Sequence, residues 1–374
     1  MSPFDKVHSQ INSAQFPGQN PKMSNVGTNC HWTDMFKTHP YLMYAKKADT
    51  ECSDYNINEQ GFHGPAYPIN KIPKTFIIMF SGGSVAEDQM GSEKITSLEN
   101  VLNDNYKIDG YDNFKVIVGA LAGWRMPNQM IMMALYSSVI DGFINLDGFN
   151  EFELIQQPNG RTAGYPADPF VMQGINDPLD VWKYLFAKCD GYIFRQQLSS
   201  NFLINFRSYY YLTEIARSYC RKTAVSINLN DSSYMNYFIF PKNMSTQDIQ
   251  RKYNSEKYLS YYRNMSAIAK SNKIKEIYFI QPSPAFKNFL TEEEHKLNQD
   301  LSYKQLYEKM TNERLALTKE KIPVVSLVDI FKNTKERIYL DKIHPNAEGR
   351  KILEQQILLN LEKHWGLKRK NPNP

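Results

Sequence analysis

The sequence predicts an α/β protein: a three-layer αβα sandwich on a five-stranded parallel sheet, carrying a largely helical insertion. Three observations lead there: five short apolar runs, helical patterns after the first and last of them, and one interval too long for a simple crossover.

The runs are 75–81 (TFIIMFS), 114–120 (FKVIVGA), 142–147 (GFINLD), 275–281 (KEIYFIQ) and 323–328 (PVVSLV). Continuous apolar character, without strict alternation, suits strands covered on both faces. Leu98, Val101 and Leu102 follow the first run at helical spacing, as do Leu353, Ile357 and Leu361 after the last. Strand alternating with helix predicts a parallel, doubly wound sheet.

The interval 148–274 breaks that rhythm, and a structureless loop of such length is implausible. Within it 201–221 and 256–271 read as helices, so 152–255 is expected to be a helical insertion, or cap. The core domain is then 71–151 with 256–365, preceded by an arm and lead-in over 1–70 and followed by a tail over 366–374. Residues 1–30 are polar and aperiodic, and 370–374 read as a frayed end.

Composition narrows the function classes. Charged residues make up 22% and the net charge is +5, with basic residues dispersed apart from Lys368-Arg369-Lys370, so no nucleic-acid stripe is expected. The four cysteines, Cys30, Cys52, Cys189 and Cys220, form no C-x-x-C pair; either a Cys30–Cys52 disulfide or four thiols fits. No stretch of 18 apolar residues and no apolar leader is present. As written, the chain reads as soluble and cytoplasmic, or periplasmic or exported if a leader has been removed.

Four segments carry chemistry. Ser81-Gly82-Gly83-Ser84 follows the first strand, where two glycines allow a tight turn that presents Ser84 at the C-terminal sheet edge. Asp341-Lys342-Ile343-His344-Pro345 precedes the last helix, and an Asp three residues before a His can fix its tautomer for proton transfer. Ala120-Leu121-Ala122-Gly123-Trp124 and Asp147-Gly148-Phe149-Asn150-Glu151 follow the second and third strands, where amides can face a developing oxyanion. Singly, each is also an ordinary turn. Trp124 reads as core packing or as a sugar-stacking contact, and Glu151 stands with it as a substrate-contact candidate. His63 is a rival base or a structural histidine, Glu292-Glu293-Glu294 a solvated helix start, and His31, Asp34 and His39 lack zinc-ligand spacing.

Together and in this order, the four segments resemble the SGNH (GDSL-like) hydrolase family over most of 70–362, outside the insertion. The resemblance implies a flavodoxin-like sandwich with Ser84 as nucleophile, His344 as general base and then acid, and Asp341 orienting His344. It further implies an oxyanion hole of the Ser84 and Gly123 N–H groups and the Asn150 amide, with no metal or organic cofactor. Asn58-Glu59-Gln60-Gly61-Phe62-His63-Gly64 is similar to the lead-in of members linked to surface polysaccharide modification. Two blocks depart from the family: Gly82-Gly83-Ser84 replaces Gly-Asp-Ser, and Asn150-Glu151 replaces Asn-Asp. The expected substrate is a small-molecule or glycan ester, foremost an O-acetyl group on a carbohydrate. An O-acetyltransferase and a catalytically dead glycan-binding module are the alternatives.

Overall fold

The structure is a computed structural model, and it describes residues 36–39, 41–48, 57–91, 96–158, 160–164, 193, 207–226 and 240–371. A hairpin of β1 (Phe36–His39) and β2 (Met43–Lys46) comes first. Then follow β3 (Thr75–Gly82), α1 (Ser84–Gly91), α2 (Thr96–Asn105), β4 (Tyr106–Lys107) and β5 (Asn113–Ala120). The chain continues through α3 (Asn128–Tyr136), β6 (Gly142–Asp147), α4 (Phe149–Gln156), α5 (Arg207–Ser226), α6 (Gln247–Asn272) and β7 (Lys275–Ile280). It ends with α7 (Glu292–Leu297), α8 (Lys304–Leu315), β8 (Val324–Ser326), α9 (Ala347–Trp365) and β9 (Lys368–Arg369).

All five apolar runs supply strands of one sheet, ordered β5-β3-β6-β7-β8, with every neighbouring pair parallel. The chain leaves β3 for one side, to β5, and then returns to its other side, at β6. That reversal opens a crevice at the C-terminal ends of the strands, where open α/β sheets bind ligands.

Burial on both faces follows from the period of two along each strand. Phe76, Ile78, Phe80, Val116, Val118, Ile144 and Leu146 face α1, α2 and α9, meeting Val85, Leu98, Leu102, Leu353, Ile357 and Leu361. Ile77, Met79, Ile117, Phe143 and Tyr278 face the opposite helical layer, with Met132, Met133, Phe152, Tyr262, Met265 and Tyr307. Helix, sheet and helix make the three layers. Leu42, Tyr44, Phe62 and Tyr67 join the second cluster, so the lead-in is part of the core.

The two helices expected inside the long interval are present. α5 covers 207–226, while 201–206 and most of the rest of the 152–255 insertion lie outside the described residues, as do residues 1–30. α6 starts at Gln247, earlier than the apolar pattern indicates. Its first turns are held by a polar residue instead: buried Asn254 donates to Leu154 O and Arg161 O and accepts from Ala163 N–H. On α5, Tyr211, Leu212, Ile215 and Tyr219 are exposed, whereas Cys220 is buried in a disulfide whose other half lies outside the described residues. That rules out the four-thiol reading, while Cys30 and Cys52 both lie outside the described residues. The start of the tail is tied down: β9 pairs antiparallel with β4, Lys370 N–H donates to Asn105 O, and Lys368 pairs with Asp109 at 2.7 Å.

Candidate active site

The strand end of β3 places Ser84. Its Gly83 has no room for a side chain: a Cβ there would meet Asn150 Nδ2 at 2.6 Å and Trp124 O at 3.0 Å. Ser84 therefore opens α1 against both neighbouring loops, at a helix start whose N–H groups lack intrahelical acceptors.

The segment 337–346 brings in the histidine. Buried Glu294 Oε1 accepts from Ile338 N–H (2.9 Å) and Tyr339 N–H (3.1 Å), and Leu340 N–H donates to His344 O at 2.9 Å. Asp341 Oδ1 accepts from the backbone N–H of Ile343 and His344, at 2.9 and 2.8 Å. Its Oδ2 lies 2.7 Å from His344 Nδ1, and His344 Nε2 lies 2.8 Å from Ser84 Oγ. Asn346 then caps α9 by accepting from Gly349 N–H.

The electrostatics suit a base. Burial pushes the His344 pKa down, but the hydrogen bond and charge of Asp341, with Asp88 and Glu87 behind, outweigh it and raise the value above 6.5. Burial pushes Asp341 up, and the His344 contact with the two backbone N–H groups brings it below the ordinary carboxylate value.

Asn150 and the loop that carries Gly123 and Trp124 meet beside Gly83. Gly123 has φ of +77°, a backbone that glycine adopts without a Cβ clash, and its N–H makes no hydrogen bond among the described residues. The Asn150 amide donates to Trp124 O at 2.7 Å, leaving its second hydrogen for another acceptor.

Two sequence candidates fall elsewhere. Trp124 is fully buried, edge-on to Phe62 and Tyr44, so it packs the core and offers no face to a sugar. Glu151 is also buried, accepting from Met126 N–H through Oε1 and Gly148 N–H through Oε2, each at 3.0 Å, so neither oxygen faces a ligand. His63 is likewise internal: its Nε2 sits 2.8 Å from Glu87 Oε1, remote from any role as a surface residue. Glu294 is not solvated. It forms a capping box with Thr291 and a fully buried 2.6 Å ion pair with Lys287. His39 Nδ1 accepts from Leu42 N–H in the hairpin turn, and His31 and Asp34 lie outside the described residues.

Glu87 is the residue that sequence reading missed. It accepts from Ala122 N–H at 2.6 Å and forms an ion pair with Lys46. Its one signal was position, three residues after Ser84, and that does not reveal a partner from another strand end. A cavity of about 610 Å³ between α4, α6 and α8, lined by Arg251, Lys252, Glu256 and Glu313 among others, includes none of Ser84, Asp341 and His344.

No protein-family model matches the chain, and no curated protein does. Among solved structures it is similar to a protein described as an acylhydrolase from Bacteroides fragilis, at 11% identity and TM-score 0.37, covering 79% of this chain and 90% of that one. A GDSL-like lipase from Bacteroides thetaiotaomicron has 13% identity and TM-score 0.36, with 78% and 89% covered. An acetyl xylan esterase has 10% identity and TM-score 0.36, with 76% and 98% covered.

Proposed function

We propose that this protein is a serine ester hydrolase of the SGNH (GDSL-like) kind. The observation that carries the reading is the unbroken hydrogen-bond chain from Ser84 Oγ to His344 Nε2 (2.8 Å) and from His344 Nδ1 to Asp341 (2.7 Å). Buried or half-buried side chains from two distant segments adopt this order because it suits one task, moving a proton off a hydroxyl.

In the proposed reaction Ser84 Oγ attacks the ester carbonyl while His344 Nε2 takes its proton. The oxyanion accepts hydrogen bonds from the N–H groups of Ser84 and Gly123 and from the free Asn150 amide hydrogen. Collapse of the tetrahedral intermediate breaks the ester C–O bond, and His344 returns the proton to the departing alkoxide. Water, deprotonated by His344, then attacks acyl-Ser84, releasing the acid and restoring the serine. Asp341 holds the tautomer and balances the imidazolium charge throughout.

The substrate class we propose is an O-acetyl ester on a carbohydrate, with the 152–255 insertion shaping selectivity; this rests on the family resemblance and on the aromatic-rich sequence of the insertion. Labelling with a fluorophosphonate, peptide mapping and assay on 4-nitrophenyl acetate test the reading. Modification at Ser84 with acetate release supports hydrolysis. Acetyl transfer to a sugar hydroxyl in preference to water would make the protein a transferase, and a labelled peptide without Ser84 would overturn the site.

A further inference from the structure

Two buried carboxylates, on the helices that begin beside Ser84 and Asn150, each hold a backbone N–H of the same loop. Glu87 lies on α1, the helix that Ser84 opens, and its Oε2 accepts from Ala122 N–H at 2.6 Å. Glu151 lies on α4, next to Asn150, and its Oε1 accepts from Met126 N–H at 3.0 Å. The loop between these two anchor points contains Gly123 and Trp124. Its Ala122 carbonyl also accepts from Tyr44 Oη at 2.6 Å, and its Trp124 carbonyl accepts from Asn150 Nδ2 at 2.7 Å.

We infer that Glu87 and Glu151 are positioning residues that clamp the loop 121–126 at its two ends, fixing the Gly123 N–H relative to Ser84 and Asn150. The inference rests on the serine-hydrolase reading. Each clamp starts from the helix that supplies one of the other two donors, so the three donors share one rigid frame. An oxyanion hole needs such a frame, because donors contribute most when they need not reorganise. Both acids are buried, and a buried carboxylate accepting amide N–H bonds is a strong acceptor.

The outer end of the Glu87 clamp is built by the lead-in. Glu87 Oε1 pairs with Lys46 of β2 and lies 2.8 Å from His63 Nε2, while Lys46 Nζ is 3.0 Å from that same nitrogen. Burial would raise the Glu87 pKa, but the Lys46 charge and the His63 hydrogen bond outweigh it and hold the value at about 2. The acid is therefore a full-charge acceptor for Ala122 N–H at any working pH.

The test compares Glu87→Ala, Glu87→Gln and Glu151→Gln with wild type. For each, kcat and KM on 4-nitrophenyl acetate are normalised to sites counted by end-point fluorophosphonate labelling, beside inhibition by a small alkylboronic acid, whose serine adduct mimics the tetrahedral intermediate. A loosened loop should lower kcat per labelled site by about 10-fold to 10²-fold in Glu87→Ala. Boronate affinity should fall in parallel, with KM little changed. Glu87→Gln keeps one acceptor for Ala122 N–H and should recover most of the loss; Glu151→Gln has one acceptor oxygen for two N–H groups and should recover less. Should Glu87→Ala not fold, Tyr44→Phe loosens the same loop by a single bond and should show the same pattern, smaller.

Unchanged kcat per labelled site in folded variants, with only fewer sites or lower melting temperatures, would overturn the inference alone. Equal losses in Glu87→Ala and Glu87→Gln would also overturn it. A wild-type protein that neither labels at Ser84 nor hydrolyses the ester would overturn the hydrolase reading, and the clamp's catalytic purpose with it.

Discussion

The Asn150 side-chain amide grips the carbonyl of Trp124 at 2.7 Å, so one proposed oxyanion donor is oriented by the residue that follows another, Gly123. Replacing Asn150 by Ala should lower kcat by about 10²–10³-fold with a smaller change in KM, because this donor acts on the transition state. Asn150→Asp should lose at least as much, since a carboxylate would face both Trp124 O and the developing oxyanion. Steady-state kinetics check this; a rise in KM with kcat intact would make Asn150 a substrate-binding residue.

Ser84→Ala should abolish ester hydrolysis, on the order of 10⁶-fold in kcat, while the melting temperature stays close to that of wild type. The side chain is only partly buried and its Oγ bonds to His344, so the core loses nothing. Near-normal turnover in the folded variant would dismiss the triad.

The pH profile should show an acid limb in kcat/KM above 6.5, because the base works only when neutral and the pKa of His344 is raised. Asp341→Asn removes a group that raises it, so the limb should move to lower pH. The rate should also fall by up to about 10⁴-fold as the wrong tautomer becomes accessible. A limb unmoved by Asp341→Asn would place the titrating base elsewhere.

Gly83→Ala should cost about 10²-fold in kcat, because the added Cβ would come within 2.6 Å of Asn150 Nδ2 and 3.0 Å of Trp124 O and push them aside. Stability should change less than activity, and a thermal melt beside the kinetics separates the two.

Lys287→Met should destabilise the fold by about 3–5 kcal/mol, read from urea melts, since it leaves Glu294 charged and buried without its cation. A variant as stable as wild type would show that the N–H groups of Thr291, Ile338 and Tyr339 satisfy Glu294 unaided.

The sheet was readable because each strand is covered on both faces, and the runs from 75, 114, 142 and 275 hold as strands nearly to the residue. The fifth is shorter, Val324–Ser326, and its last ladder bond to β7 runs from Leu327 N–H to Ile280 O. The placement of Ser84, Gly123 and Asn150 after strand ends, and of Asp341 and His344 ahead of α9, was legible from the order of apolar runs and turns; the roles proposed for them rest on the resemblance and on the hydrogen bonds they make. The supports were not: Glu87 and Glu294 look like surface acids in sequence and Glu151 like a substrate contact, and only the topology shows which amides they meet. The start of α6 was hidden for a related reason, because Asn254 anchors it with hydrogen bonds and leaves no apolar period to detect.

Ser84 and His344 lie 260 residues apart along the chain. A growing polypeptide thus displays the Ser84 hydroxyl and the loops of Gly123 and Asn150 long before His344 has been synthesised, and contacts of such span are the slowest to form. Every truncated or half-folded version would be chemically silent on the proposed reading. Recovery of ester hydrolysis after dilution from urea would then report completion of the whole sheet, from β3 to the start of α9, and not the appearance of any local element.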